Sequence, residues 1–114
     1  MKTLREWLKD TYEVRYGYQV TRPRIVCKDG FSMSVQAGEA IYCIPRVNLS
    51  SGGYVEVEVG FPSDKEDLIC QYAECSSDYT ETVYPYVPVE LVEKVIEKHG
   101  GIVELAKENE HDGE

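Results

Sequence analysis

Hydrophobic and polar positions along this chain follow two periods, and the switches between them mark its elements. Leu4, Trp7, Leu8 and Tyr12 recur at helical spacing behind a Thr-x-x-Glu capping box made by Thr3 and Glu6. That predicts a short amphipathic helix over residues 4–12, with Trp7 as its core anchor. Val14, Tyr16, Tyr18 and Val20 then alternate with Glu13, Arg15 and Gln19, the pattern of a strand or extended lead-in over 13–21. The run RIVCKDGFSMSVQ (24–36) predicts a β-hairpin around Asp29-Gly30. A two-residue turn would put Lys28 and Arg24 on the face of Phe31, Met33 and Val35. A three-residue loop with Gly30 in the left-handed position instead pairs Cys27 with Phe31. It lines Ile25, Cys27, Phe31, Met33 and Val35 on one face. This second register separates polar from apolar side chains and is preferred.

The remaining pattern continues in hairpin style. AIYCIPRV (40–47) predicts a strand whose end, at Pro45, is an edge or a bulge. After the loop NLSSGG (48–53), YVEVEVGF (54–61) gives the cleanest alternation in the chain. It points Val55, Val57, Val59 and Phe61 inward and Tyr54, Glu56 and Glu58 outward. Ser63 with Glu66 reads as a second capping box and predicts a helix over about 64–73, with Leu68, Ile69 and Tyr72 as its apolar stripe. ETVYPYV (81–87) predicts a further strand, placed at an edge by Pro85. Pro88 opens a last helix with Leu91, Val92, Val95, Ile96 and His99 on one face, and Gly100-Gly101 ends it. A final turn, IVELAK (102–107), is expected to pack back on the domain. The expected fold is α+β: a mostly antiparallel sheet of about four to five strands with helices packed on one face. Residues 1–106 are expected to form one domain and 107–114 a disordered acidic tail.

Charge changes this picture more than composition does. At 42% hydrophobic and 29% charged, the 114 residues are ordinary for a globular domain. The net charge of −9, however, is unevenly spread. Residues 1–53 carry eight Lys/Arg against five Asp/Glu, a net of +3, and residues 54–114 carry four Lys against sixteen Asp/Glu, a net of −12. Such a surface repels nucleic acid and attracts basic proteins. Nine tyrosines add rigid contact area with a polar tip, a composition enriched at binding surfaces. The start of the chain lacks the apolar core of a signal peptide, and no stretch has the length of a membrane span. A cytoplasmic protein with reduced thiols at Cys27, Cys43, Cys70 and Cys75 is expected.

No pattern names a reaction. Cys70-x4-Cys75 is not a zinc-finger spacing, and no metal or cofactor is expected. His99, in the last turn of a helix, suits capping of the negative helix end better than catalysis. Glu56 and Glu58 share one strand face rather than opposing sides of a cleft, as a glycosidase pair would. SSGG (50–53) lacks the lysine and helix start of a phosphate loop. The strongest candidate is the acidic stretch itself: Tyr54, Glu56, Glu58, Asp64, Glu66 and Asp67. Their carboxylates would imitate phosphates for Arg/Lys grooves.

The segments CKDGFSMSVQA (27–37), YCIPR (42–46), EVEVGFPS (56–63) and TVYPYVPVELVEKVIEKHGG (82–101) resemble a group of small, mostly uncharacterised proteins of bacteriophages and other bacterial mobile elements. The resemblance implies a genomic setting that includes anti-CRISPR and other anti-defence inhibitors. It carries no catalytic residues. The expected function is therefore a non-enzymatic inhibitor of a basic nucleic-acid-binding effector, with no direct nucleic-acid or membrane partner. Two alternatives remain. One is a binder of nucleotide signals using Arg22, Arg24 and Arg46; the other is an accessory interaction protein, for instance a homodimer.

Overall fold

A computed structural model describes residues 2–12, 14–15, 19–20 and 22–103, with only the backbone of 14, 15, 19 and 20. Helix α1 spans Leu4–Asp10, and its capping box forms as the sequence predicts. Thr3 Oγ1 accepts the Glu6 N–H at 3.1 Å while Glu6 Oε1 accepts the Thr3 N–H at 2.9 Å. A further donor of the first turn, the Leu4 N–H, goes to Glu93 Oε2 at 2.8 Å. At the other end, Arg22 donates to the Leu8 carbonyl through Nε (3.3 Å) and Nη2 (3.2 Å), supplying a partner that a helix end lacks within itself. Leu4, Trp7 and Leu8 form the buried face.

The strand or extended lead-in expected over 13–21 is instead two short strands, β1 (Val14–Arg15) and β2 (Gln19–Val20), that pair antiparallel, so the chain reverses between them. The expected face of Val14, Tyr16, Tyr18 and Val20 lies outside the described residues. The main sheet is antiparallel, in the order β3 (Ile25–Val26), β4 (Ser32–Gln36), β5 (Glu56–Gly60), β6 (Val83–Pro88). The β3–β4 hairpin takes the three-residue register: Ile25 faces Met33, and the Cys27 N–H donates to the Phe31 carbonyl at 2.8 Å. Gly30 turns the chain at φ +97°. Ile25, Cys27, Phe31, Met33 and Val35 are all buried, as segregation of polarity demands. Chain beyond the last helix covers the outer side of β3, where Ile102 bridges Cys27 and the Val103 N–H reaches the Val26 carbonyl at 2.8 Å.

Three further sequence expectations are corrected. Residues 40–47 do not form a strand; a lone bridge joins Ile44 to Glu56. The alternation over 54–61 holds only within β5, where Val57 and Val59 are buried, and it inverts at both ends. Tyr54 turns inward, whereas Val55 and Phe61 are exposed. At the far end Phe61 sits at φ +48°, which breaks the pleat that would have carried its ring inward. The helix expected over 64–73 is replaced by turns and a three-residue 3-10 segment, Cys70–Tyr72. Both members of its capping box are used elsewhere: Ser63 Oγ accepts the Ser32 N–H at 2.9 Å, and Glu66 is buried.

Strand β6 is at the sheet edge, where Pro85 costs no ladder bond. Its pairing with β5 slips: Val57 faces Val87 but Val59 faces Tyr84. Two steps on β5 match three on β6, so the extra residue is at Pro85–Tyr86, and Tyr86 has φ +55°. Helix α2 (Val89–Lys98) buries Val92, Val95 and Ile96. It ends in a Schellman motif, with Gly101 N–H to Ile96 carbonyl at 2.9 Å and Gly100 N–H to Glu97 carbonyl at 3.1 Å. Residues 107–114 lie outside the described part. No described helix is long and apolar enough to cross a membrane.

Candidate functional site

Strand alternation sends Glu56 and Glu58 to the face of β5 opposite Val57 and Val59. Across the ladder Glu58 faces Gln36. Glu58 is half-buried, and that burial, reinforced by the neighbouring Glu74 carboxylate, raises its pKa. Among the described residues no cation pairs with Glu56, Glu58 or Glu74.

The segment 42–46 lies beside these carboxylates. The Ile44 N–H donates to the Glu56 carbonyl at 3.0 Å, and the Ile44 carbonyl accepts the Val55 N–H at 2.8 Å. The Tyr42 carbonyl takes the Tyr86 N–H at 3.2 Å, a donor that the β6 bulge has turned away from β5. Beneath this segment Cys43 is fully buried; burial raises its thiol pKa, with Glu58 and Arg46 near enough to act on it electrostatically. Tyr42 (44% exposed), Ile44 (44%), Val55 (59%) and Tyr86 (37%) are each exposed along or beside it. The Tyr42 and Tyr86 ring centroids are 6.0 Å apart, and the Arg46 guanidinium stands 5.3 Å over the Tyr42 ring. Sequence reasoning did not pick out Tyr42, Ile44 or Tyr86, and it placed Val55 inward. The only trace of them is the Tyr84-Pro85-Tyr86 interruption in an otherwise alternating strand.

The six residues singled out from sequence divide into three groups. Glu56 and Glu58 share the outer face of β5. Asp64 and Asp67 are exposed on the chain that follows it, Asp67 3.9 Å from Lys65 Nζ. Tyr54 and Glu66 are interior, 6% and 1% exposed. Tyr54 Oη donates to the Val47 carbonyl at 2.7 Å and accepts the Leu49 N–H at 2.8 Å, so it fastens the 47–54 loop.

Glu66 belongs to a polar clamp. Its Oε1 is 2.7 Å from His99 Nε2, and its Oε2 accepts from Lys98 Nζ at 2.9 Å and from the Leu68 N–H at 3.0 Å. The other ring nitrogen of His99, Nδ1, is 2.6 Å from Asp29 Oδ2. The imidazole stacks on Phe31, with centroids 4.1 Å apart and planes 10° from parallel. Desolvation opposes charge on both groups, yet the hydrogen bonds outweigh it: the His99 pKa is raised and that of Glu66 lowered. A carboxylate on each nitrogen favours the imidazolium form, and the clamp joins the β3–β4 turn, the 66–68 turn and the end of α2.

The thiols and arginines are likewise dispersed. Burial pushes Cys27 up to about 11, and no group of three or more His, Cys, Asp or Glu side chains among the described residues is placed to hold a metal. Arg22 is buried against the Leu8 and Ala37 carbonyls, Arg24 bonds the Phe61 carbonyl at 2.6 Å, and Arg46 lies on Tyr42. No family model, no curated protein and no solved structure matches this chain.

Proposed function

We propose that this protein is a non-enzymatic inhibitor that docks on a basic, nucleic-acid-binding effector, of the kind represented by CRISPR nucleases, and occludes its polyanion groove. The observation that carries the reading is the set of carboxylates at Glu56, Glu58 and Glu74, which no cation among the described residues pairs with, beside exposed tyrosines. Asp64 and Asp67, exposed beyond β5, extend the same negative sign. The chain's net charge of −9 steers it toward a cationic groove and away from nucleic acid. The resemblance to proteins of mobile elements supplies the setting in which such inhibitors act.

The test is inhibition of DNA cleavage by a panel of purified CRISPR nucleases, measured across salt concentrations. Inhibition that weakens with salt and is lost in Glu56→Lys/Glu58→Lys supports the reading. Inhibition unchanged by that double substitution, or absent across the panel, refutes it.

A further inference from the structure

Exposed apolar side chains scattered singly over a surface need no explanation, but Tyr42, Ile44, Val55 and Tyr86 are not scattered. Main-chain hydrogen bonds join Tyr86 to Tyr42 and Ile44 to Val55, and the two tyrosine rings are 6.0 Å apart. The backbone is distorted to make this arrangement. A regular β6 would keep strict alternation; the extra residue at Pro85–Tyr86 instead lets Tyr86 project beside Tyr42 from a left-handed conformation that aromatic residues disfavour. Strain of this kind collects at binding sites. The patch already holds one guanidinium, that of Arg46, at 5.3 Å over the Tyr42 ring. Glu56, bridged to Ile44, and Glu58 with Glu74 supply negative charge with no cation among the described residues to meet it.

We infer that the Tyr42–Tyr86 patch with Ile44 and Val55 is the docking site for an arginine-bearing segment of the basic partner. This rests on the function proposed above and adds the group that is recognised. A guanidinium is planar and weakly hydrated, so it stacks on a tyrosine ring while its edge bonds a carboxylate in a fork. An ammonium can also stand over a ring, as Lys65 does 5.2 Å over Tyr79, but it has no flat face to stack and no planar fork for a carboxylate. The site therefore prefers arginine to lysine, and the share of that preference due to ring stacking depends on Tyr42 and Tyr86.

The experiment compares fluorescent nona-arginine and nona-lysine peptides by anisotropy at physiological salt, with the full chain. Expected is tighter binding of the arginine peptide by about two- to five-fold, on the order of one exposed ring contact. The preference should shrink in Tyr42→Ser and in Tyr86→Asn, the asparagine tolerating the left-handed backbone at this position, and a preference unchanged in both variants overturns the site. In the unmutated protein, titration with nona-arginine should shift the NMR ring signals of Tyr42 and Tyr86, which keeps the test independent of whether the variants fold. Equal binding of the two peptides, or ring signals that do not move, overturns the arginine site and leaves the acidic-surface reading standing. Binding of both peptides that is indifferent to Glu56→Gln/Glu58→Gln counts against the acidic surface itself.

Discussion

Replacing His99 with alanine removes the cation between two carboxylates, and its cost follows from the geometry. Glu66 is 1% exposed and loses its partner on Oε1 while keeping Lys98 and the Leu68 N–H on Oε2. A hydrogen bond to a buried charged group is worth about 1.5–3 kcal/mol. The stack on Phe31 adds about 0.5–1.5 kcal/mol. The Asp29 side is solvated and adds little. The expected loss is thus about 2–4 kcal/mol, read from urea unfolding followed by fluorescence of the buried Trp7. The pH profile is the sharper readout. The folded pKa of His99 lies above its ordinary 6.5, so its contribution is complete below that value and disappears as pH rises through the raised pKa. The folded pKa of Glu66 lies below its ordinary 4.5, so its contribution is present above that value and disappears as pH falls through the lowered pKa. The stability difference between the parent and His99→Ala should therefore be largest between pH 4.5 and 6.5 and shrink on both sides. A loss under about 0.5 kcal/mol, or a difference flat from that window into the alkaline range, would refute the clamp.

Three further substitutions probe the frame around the site. Tyr54→Phe leaves the Val47 carbonyl and Leu49 N–H without their shared hydroxyl and should cost about 1–3 kcal/mol in urea unfolding, a loss that an outward-facing tyrosine would not show. Gly52→Ala would set a Cβ 2.7 Å from the Arg5 carbonyl at φ +73°, so a fall in thermal midpoint and partial unfolding of α1 by circular dichroism are expected. Phe61→Asn replaces an exposed aromatic at φ +48° with a residue suited to that conformation and should raise stability by about 0.5–1 kcal/mol; a decrease would mean that the ring packs in solution.

What the sequence made legible depends on how local each decision is. The Cys27–Phe31 register follows from five alternating positions and one turn, all within a dozen residues, and polarity alone selects it. The capping box at Thr3 and the Gly100-Gly101 stop are equally local, and both hold. The failures come where a distant partner outbids a local one. Ser63 and Glu66 have the spacing of a cap, but Ser63 is taken by Ser32 and Glu66 by Lys98 and His99, 32 and 33 residues away. Tyr54 reads as outward from alternation, yet the Val47 and Leu49 backbone needs its hydroxyl. The exposed patch was invisible for the same reason: Tyr42 and Tyr86 meet only because a bulge in β6 and the irregular segment 42–46 are both present.

The carboxylates of the described chain divide by whether the fold uses them, and this sets an opposition that can be measured. Glu66, Asp29 and Glu93 each accept hydrogen bonds that hold elements together. Glu58 does the reverse: burial raises its pKa and Glu74 adds repulsion, so its charge destabilises the folded state, the more so as pH rises through the raised pKa. Solvent screens part of this, so Glu58→Gln should stabilise the isolated protein by no more than about 1 kcal/mol. The same substitution removes a charge that a partner cation would neutralise and should weaken the proposed inhibition of a basic effector. Gain in one assay with loss in the other is the signature of a residue kept for binding at the expense of stability. If Glu58→Gln lowers the thermal midpoint, the carboxylate is a structural acceptor and cannot anchor the proposed docking face.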